Sequence, residues 1–266
     1  MQLLTRKKLS IIGIDLGACS LRAVQLRKKQ DRWQIHHWLN LEHKPTSNQA
    51  PPLDYQTELR LAFGSGTFFG KQTVLLLNPP DVEYKLVEVP PAVLEKPTNE
   101  IRDALQFELD RQLSWPVSES EMAVWPVQPG STSNANAMVA VMKTSKIQSL
   151  LEILNTRHLD CVCADIVPNA MIQLFKHQHN QHKTQSTNMM WSVLDLGFRS
   201  SRLYLIHDNR PVYVRVVGGS GLECTEILAK ALHVDFRIAE QYKCIYGIKQ
   251  TERGFRSVTG GLAQIQ

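Results

Sequence analysis

The sequence predicts an α/β fold in two halves, each opening on a β-hairpin. Three observations carry this. Short apolar or alternating segments interleave with amphipathic helical stretches along the chain. An Asp-Leu-Gly turn set between two strands occurs twice, at Asp15-Leu16-Gly17 and at Asp195-Leu196-Gly197. Between the copies, the polar run HQHNQHKTQSTN has no apolar period and reads as a linker.

In order, Leu9 to Leu16 reads as a strand and Leu21 to Arg27 as its antiparallel return, with RWQIHHW (Arg32–Trp38) as a third strand. The proline-bearing EHKPTSNQAPPLD is a loop, Tyr55–Ala62 a short helix, and KQTVLLLNP a buried strand stopped by proline. YKLVEVP alternates as a strand. TNEIRDALQFELDRQL sets Ile101, Leu105, Leu109 and Leu113 on one helical stripe, with Phe107 beside it and Thr98 as its N-cap. A strand pair follows (EMAVWPVQ and MVAVMK around the polar STSNANA), then a helix (SKIQSLLEILNTRHL), a strand (CVCADIV) and a helix (PNAMIQLFKHQ). After the linker come three strands, a glycine-rich start to a helix at GGSGLECTEILAKALHV, and a last helix at DFRIAEQYKCIYG.

The chain has 266 residues, enough for one large or two modest domains, and 43% hydrophobic residues exclude a disordered chain. A net charge of +5 is compatible with an anionic partner without requiring one. Five cysteines is an odd count, and Cys161 and Cys163, two apart in a strand, point to opposite faces and make a poor disulfide. Reduced thiols of a cytoplasmic protein are expected. The basic start MQLLTRKKLS leads into an apolar stretch broken by Gly13 and Asp15, which is neither a signal peptide nor a spanning helix. Membrane association is expected through a partner, without direct insertion.

The repeat points to phosphate chemistry. Glycine lets a turn backbone approach a phosphate, turn N–H groups and serines donate to its oxygens, and a strand-end aspartate suits a magnesium ion held through waters. Two such hairpins facing one cleft suit a nucleotide triphosphate; either one alone reads as an ordinary structural turn.

IGIDLGACSLRAVQL and SVLDLGFRSSRLYLI resemble the phosphate-1 and phosphate-2 motifs of the actin-like ATPase superfamily, which includes actin, sugar kinases and FtsA. Within it the chain resembles the PilM family of type IV pilus assembly, and is similar to the cytoplasmic part of GspL from type II secretion. Arg22 stands where the family commonly has lysine. EIRDALQFELDRQLSWPVSESEMAVWPV resembles the segment leading into the family's inserted subdomain, with Glu108 and Trp115-Pro116 retained. NAMVAVMKTSKIQSLLEILNTRHLDCVCADIVPNAMIQLF resembles the part that completes it. Gly218-Gly219, the helix after them and AEQYK resemble the start of the second domain. The match runs from about Leu9 to Lys243.

The resemblance implies an actin-like (ribonuclease H-like) two-domain fold: domain 1 at 9–180 with a small α/β subdomain inserted at about 82–163, a linker at 181–190, and a shortened domain 2 at 191–266. It implies ATP with magnesium at Asp15, Gly17, Ala18, Cys19, Ser20, Arg22, Asp195, Gly197, Ser200, Ser201, Gly218 and Gly219. It implies a non-catalytic cytoplasmic scaffold of a pilus or DNA-uptake machine. Its partner is the N-terminal cytoplasmic peptide of an inner-membrane PilN-like protein, with an Ile-Asn-Leu-Leu-Pro-like sequence, docked between domain 1 and the inserted subdomain. A homo-oligomer accords with the fold class; direct nucleic-acid binding is not expected.

The sequence departs from the family in two places. Only a short tail follows Lys243, with Gly260-Gly261 as a trace of the adenosine motif, so the cleft is expected to lack its adenosine wall. Phe198 and Arg199 replace small residues in the second turn, and Arg199 reads either as a phosphate partner or as a cation filling an empty site. No acid stands where a water-activating base is needed, so binding is favoured over hydrolysis. The rivals are a small actin-fold kinase or ATPase, which needs that base and a complete adenosine pocket, and a GspL-type scaffold, which continues into a spanning helix. His177, His179 and His182 have ligand-like spacing but read as linker composition. Asp103, Glu108 and Asp110 read as a solvated helix face, and the tryptophans as packing residues.

Overall fold

The alternation at the N-terminus folds as expected. β1 (Ile12–Gly17) returns antiparallel as β2 (Ser20–Lys29), and β3 (Arg32–Glu42) pairs with β2. The computed structural model describes residues 9–30, 32–42, 54–64, 66–96, 98–127, 135–180 and 190–247. β4 (Gln72–Leu77) and β8 (Asp160–Ile166) extend the sheet parallel to β1, giving the order β3-β2-β1-β4-β8. With a period of two, Ile12, Ile14 and Leu16 face one side, where they bury with Leu75 and Leu77. Helices α1 (Tyr55–Gly64) and α4 (Thr144–Asn155) close that side through Leu59, Ala62, Leu150 and Leu154. Each buried leucine or isoleucine among them contributes roughly 1.5–3 kcal/mol on burial.

A separate antiparallel sheet has the order β5-β7-β6, from β5 (Glu83–Val89), β6 (Ser120–Pro126) and β7 (Ala135–Lys143). After the single turn α2 (Pro91–Leu94), α3 (Thr98–Asp110) lays Ile101, Leu105 and Leu109 on Val139 and Val141 of β7. The other face of β7 sends Ala140 and Met142 into the first core. Burial on both faces explains why MVAVM is apolar without alternation. Phe107, beside the stripe, is 76% exposed. One detail differs from expectation. Asp110 is not merely solvated: its Oδ1 accepts the Val117 N–H at 2.8 Å, holding the turn into β6. The Thr98 cap concerns a side chain outside the described residues.

α5 (Val167–Asn180) carries the chain across to the second half, and runs further into the polar histidine segment than expected because nothing in HQHN breaks a helix. His179 and His182 lie outside the described side chains, and among the described residues no cluster could hold a metal. The second half is the sheet β11-β10-β9, from β9 (Met190–Leu196), β10 (Ser201–His207) and β11 (Arg210–Val217), then α6 (Gly221–Leu232) and α7 (Phe236–Tyr246). Asp208 and Asn209, at φ 46° and 63°, make the tight turn of β10–β11. A third core cluster (Val167, Ile172, Tyr204 and Ile206) joins the halves, with Leu76 and Tyr84 packed on it. The tail with Gly260-Gly261 lies outside the described residues.

Candidate functional site

The two Asp-Leu-Gly hairpins face each other. Asp15, Gly17, Ala18, Cys19, Ser20 and Arg22 from the first, and Asp195, Gly197 and Ser200 from the second, line one cleft of about 250 Å³. Leu76, Asn78 and Met171 floor it, and Phe198 and Arg199 reach it from the second turn. Ser201, Gly218 and Gly219 are not among its lining residues.

Each strand-end acid stands opposite an arginine. In the first hairpin Asp15 pairs across the ladder with Arg22, whose Nη1 donates to Asp15 Oδ2 at 3.1 Å. Asn78, at the end of β4, donates to Oδ1 at 2.5 Å. In the second hairpin Asp195 pairs across the ladder with Arg202, a buried residue that also donates to Ser200 Oγ at 3.2 Å. Sequence reasoning missed Arg202 and Asn78. Arg202 was findable, since Asp-Leu-Gly-x-x-Ser-x-Arg is common to both copies. Asn78 carried no signal, because its role depends on which strand neighbours β1. Burial pushes the Asp195 carboxyl above the usual carboxylate range, with the Asp15 charge adding to it against Arg202 and Arg22.

The glycines have a reason internal to the turns. A Cβ on Gly197 would sit 2.5 Å from the Ser200 carbonyl oxygen, and one on Gly17 would sit 3.2 Å from that of Ser20. The first turn is also fixed by α1, whose Tyr55 hydroxyl donates to the Leu16 and Gly17 carbonyls at 3.3 and 3.2 Å. The Cys19 thiol is pushed up to about 11 by burial and then by the Glu240 charge, against Arg199 and Lys243. It is therefore uncharged at neutral pH.

Gly218 and Gly219 serve the start of α6. Gly219 has φ 88°, and its N–H donates to Glu223 Oε2 at 2.7 Å. Ser220 Oγ caps the helix by accepting the Glu223 N–H at 3.2 Å. The next two amides are used as well: Gly221 N donates to Gly197 O and Leu222 N to Phe198 O. This helix start is thus occupied by the hairpin turn and by its own glutamate. Phe198 lies against Gly221, and the Lys243 ammonium stands 5.4 Å from its ring centroid. Lys243 bonds Glu240 at 2.7 Å and Thr225 Oγ1 at 2.8 Å, so α6 and α7 are clamped beneath the second turn.

A second cavity, of about 360 Å³, lies between the large and small sheets. Leu77 and Ile166 come from strand ends of the former, Met122, Ala123 and Met142 from β6 and β7, and Ile147 from α4. Among the described residues β6 is an edge strand of its sheet, and its Glu121, Met122 and Ala123 line this groove.

A profile of the family described as type IV pilus assembly protein PilM matches residues 13–250. The chain belongs to the PilM family. Among solved structures it is similar to one titled "PilM-PilN type IV pilus biogenesis complex", with TM-score 0.75, 22% identity, and coverage of 96% of this chain and 74% of that one. A weaker likeness, TM-score 0.47 at 11% identity, covers 82% of this chain and 74% of the cytoplasmic domain of EpsL, an inner-membrane component of the Vibrio cholerae type II secretion system. The fold is the actin-like one expected from the hairpins. Among the described residues no helix is long and apolar enough to cross a membrane.

Proposed function

We propose that this PilM-family chain is a cytoplasmic, non-catalytic scaffold that docks the N-terminal peptide of a PilN-like inner-membrane protein in the groove between its large and small sheets. The carrying observation is the groove itself: a mainly apolar cavity lined by residues of β6, an edge strand of its sheet among the described residues. An extended apolar peptide is suited to both features at once, adding a strand to the edge while alternate side chains enter the cavity. The insertion at about 82–163, within domain 1 at 9–180, is read as the unit that supplies this wall, and domain 2 runs from 191.

Ala123 tests the reading. It is exposed on β6, lines the groove and lies outside the cores. Ala123→Arg is expected to abolish heat release on titration of an Ile-Asn-Leu-Leu-Pro-type peptide while leaving the melting temperature within about a degree of wild type, since surface changes cost little. Wild-type affinity in this variant would sink the proposal.

The cleft is proposed as the site for ATP with magnesium. The donor set suits it: Arg22, Arg199 and Ser20 for phosphate oxygens, and free carboxylate lone pairs on Asp15 for the waters of a magnesium ion. Magnesium supplies charge neutralisation there, and the cleft's size suits the phosphate end of a nucleotide.

A further inference from the structure

Among the described residues, the β2–β3 ribbon outruns β1. β1 accompanies β2 only between Ser20 and Val24, whereas β2 continues to Lys29 and β3 begins at Arg32. Beyond that point, among the described residues, Leu9 is bridged to Arg27, Ser10 is bonded to Leu26, and Phe69 exchanges two hydrogen bonds with the Gln25 side chain. The far end closes on the cross-strand pairs Lys28↔Trp33 and Lys29↔Arg32.

This end has an unusual composition for a projecting hairpin. Between 27 and 35 there are four cations (Arg27, Lys28, Lys29 and Arg32) and one acid, Asp31. Lys28, Lys29 and Arg32 are exposed. So are two large apolar side chains, Trp33 at 45% and Ile35 at 60%, which share a ribbon face because they are two apart on β3.

We propose that this hairpin end is a contact for an anionic lipid surface. The cations match the negative potential of such a surface, and Trp33 with Ile35 fits the headgroup boundary, where tryptophan is favoured. A nucleic acid would answer the charge, but Ile35 offers it no stacking face. The contact would add a second anchor, at the opposite end of β2 from the cleft, to the partner-mediated tether expected from the sequence.

The test is co-sedimentation of the whole protein, without peptide, with vesicles of phosphatidylcholine alone or mixed with phosphatidylglycerol, at low and high salt. Binding is expected only to the anionic vesicles, weakening with salt. Lys28→Glu with Lys29→Glu should lower the partition at least tenfold, at roughly fivefold per basic residue near the surface. Trp33→Ala should lower it further, with circular dichroism confirming that each variant stays folded. Equal binding to neutral vesicles, or unchanged binding by the variants, would overturn the proposal. So would a duplex DNA that binds with the same salt dependence while vesicles do not. Because no peptide is present, these outcomes are independent of the docking groove.

Discussion

Asp195 is a cleft carboxylate whose ionised form its surroundings disfavour. Burial and the facing Asp15 raise its pKa above the ordinary aspartate value of 3.8, so the folded protein holds that proton more tightly than the unfolded chain. The sign follows. The ionised carboxylate disfavours the folded state above its raised pKa, and the penalty vanishes as pH falls below 3.8. Asp195→Asn should therefore raise the melting temperature at neutral pH, with the gain closing toward zero in melts run at progressively lower pH. A loss at neutral pH that closes as pH falls would show that Arg202 dominates instead. That both aspartates and Arg22 come together at one cleft was legible because they sit in a repeat. Gly218 and Gly219 were read as phosphate-facing from a resemblance, yet the Gly219 amide bonds to Glu223. A glycine pair before a helix has the same spelling whether it faces a ligand or its own glutamate.

At the scale of elements, the two hairpins are alike in sequence and unlike in tightness. The Cβ contact at Gly197 is 2.5 Å, against backbone, where that at Gly17 is 3.2 Å. Gly197→Ala must open the second turn, which also holds the first amides of α6 through Gly197 O and Phe198 O. It should cost about 1–3 kcal/mol in urea unfolding, and Gly17→Ala clearly less. Equal costs would mean that the turn relaxes freely. The strands and helices themselves were legible from period and punctuation. The MVAVMK and TVLLL runs could be read as buried strands, because a central strand must be apolar on both faces. What local pattern does not encode is partnership: that β7 lies between β5 and β6, or that β4 places Asn78 on Asp15, is settled by packing distant in sequence.

At the scale of the whole molecule, aromatic side chains tie the small sheet to the second half. Tyr84 of β5 meets Tyr204 of β10 edge-on, with ring centroids 6.1 Å apart. Trp125, on the groove-flanking strand β6, donates its indole N–H to the Pro211 carbonyl at the start of β11 at 2.7 Å. Trp125→Phe keeps most of the ring and removes that bond, leaving the carbonyl without it. A loss of about 1 kcal/mol in urea unfolding is expected, with the m-value unchanged. A drop in m would instead report that the halves separate. None of this was visible beforehand, since Trp125 reads simply as an apolar residue in a strand.

The same indole connects the two proposed sites. β6 lines the proposed peptide groove, while β11 belongs to the sheet whose hairpin closes the cleft. If peptide binding shifts Trp125, then whatever factor nucleotide adds to peptide affinity, peptide adds to nucleotide affinity, because both are legs of one thermodynamic cycle. Recruitment to a membrane rich in the partner would then fill the cleft at nucleotide concentrations that leave the free protein empty. Location, rather than nucleotide supply, would set occupancy.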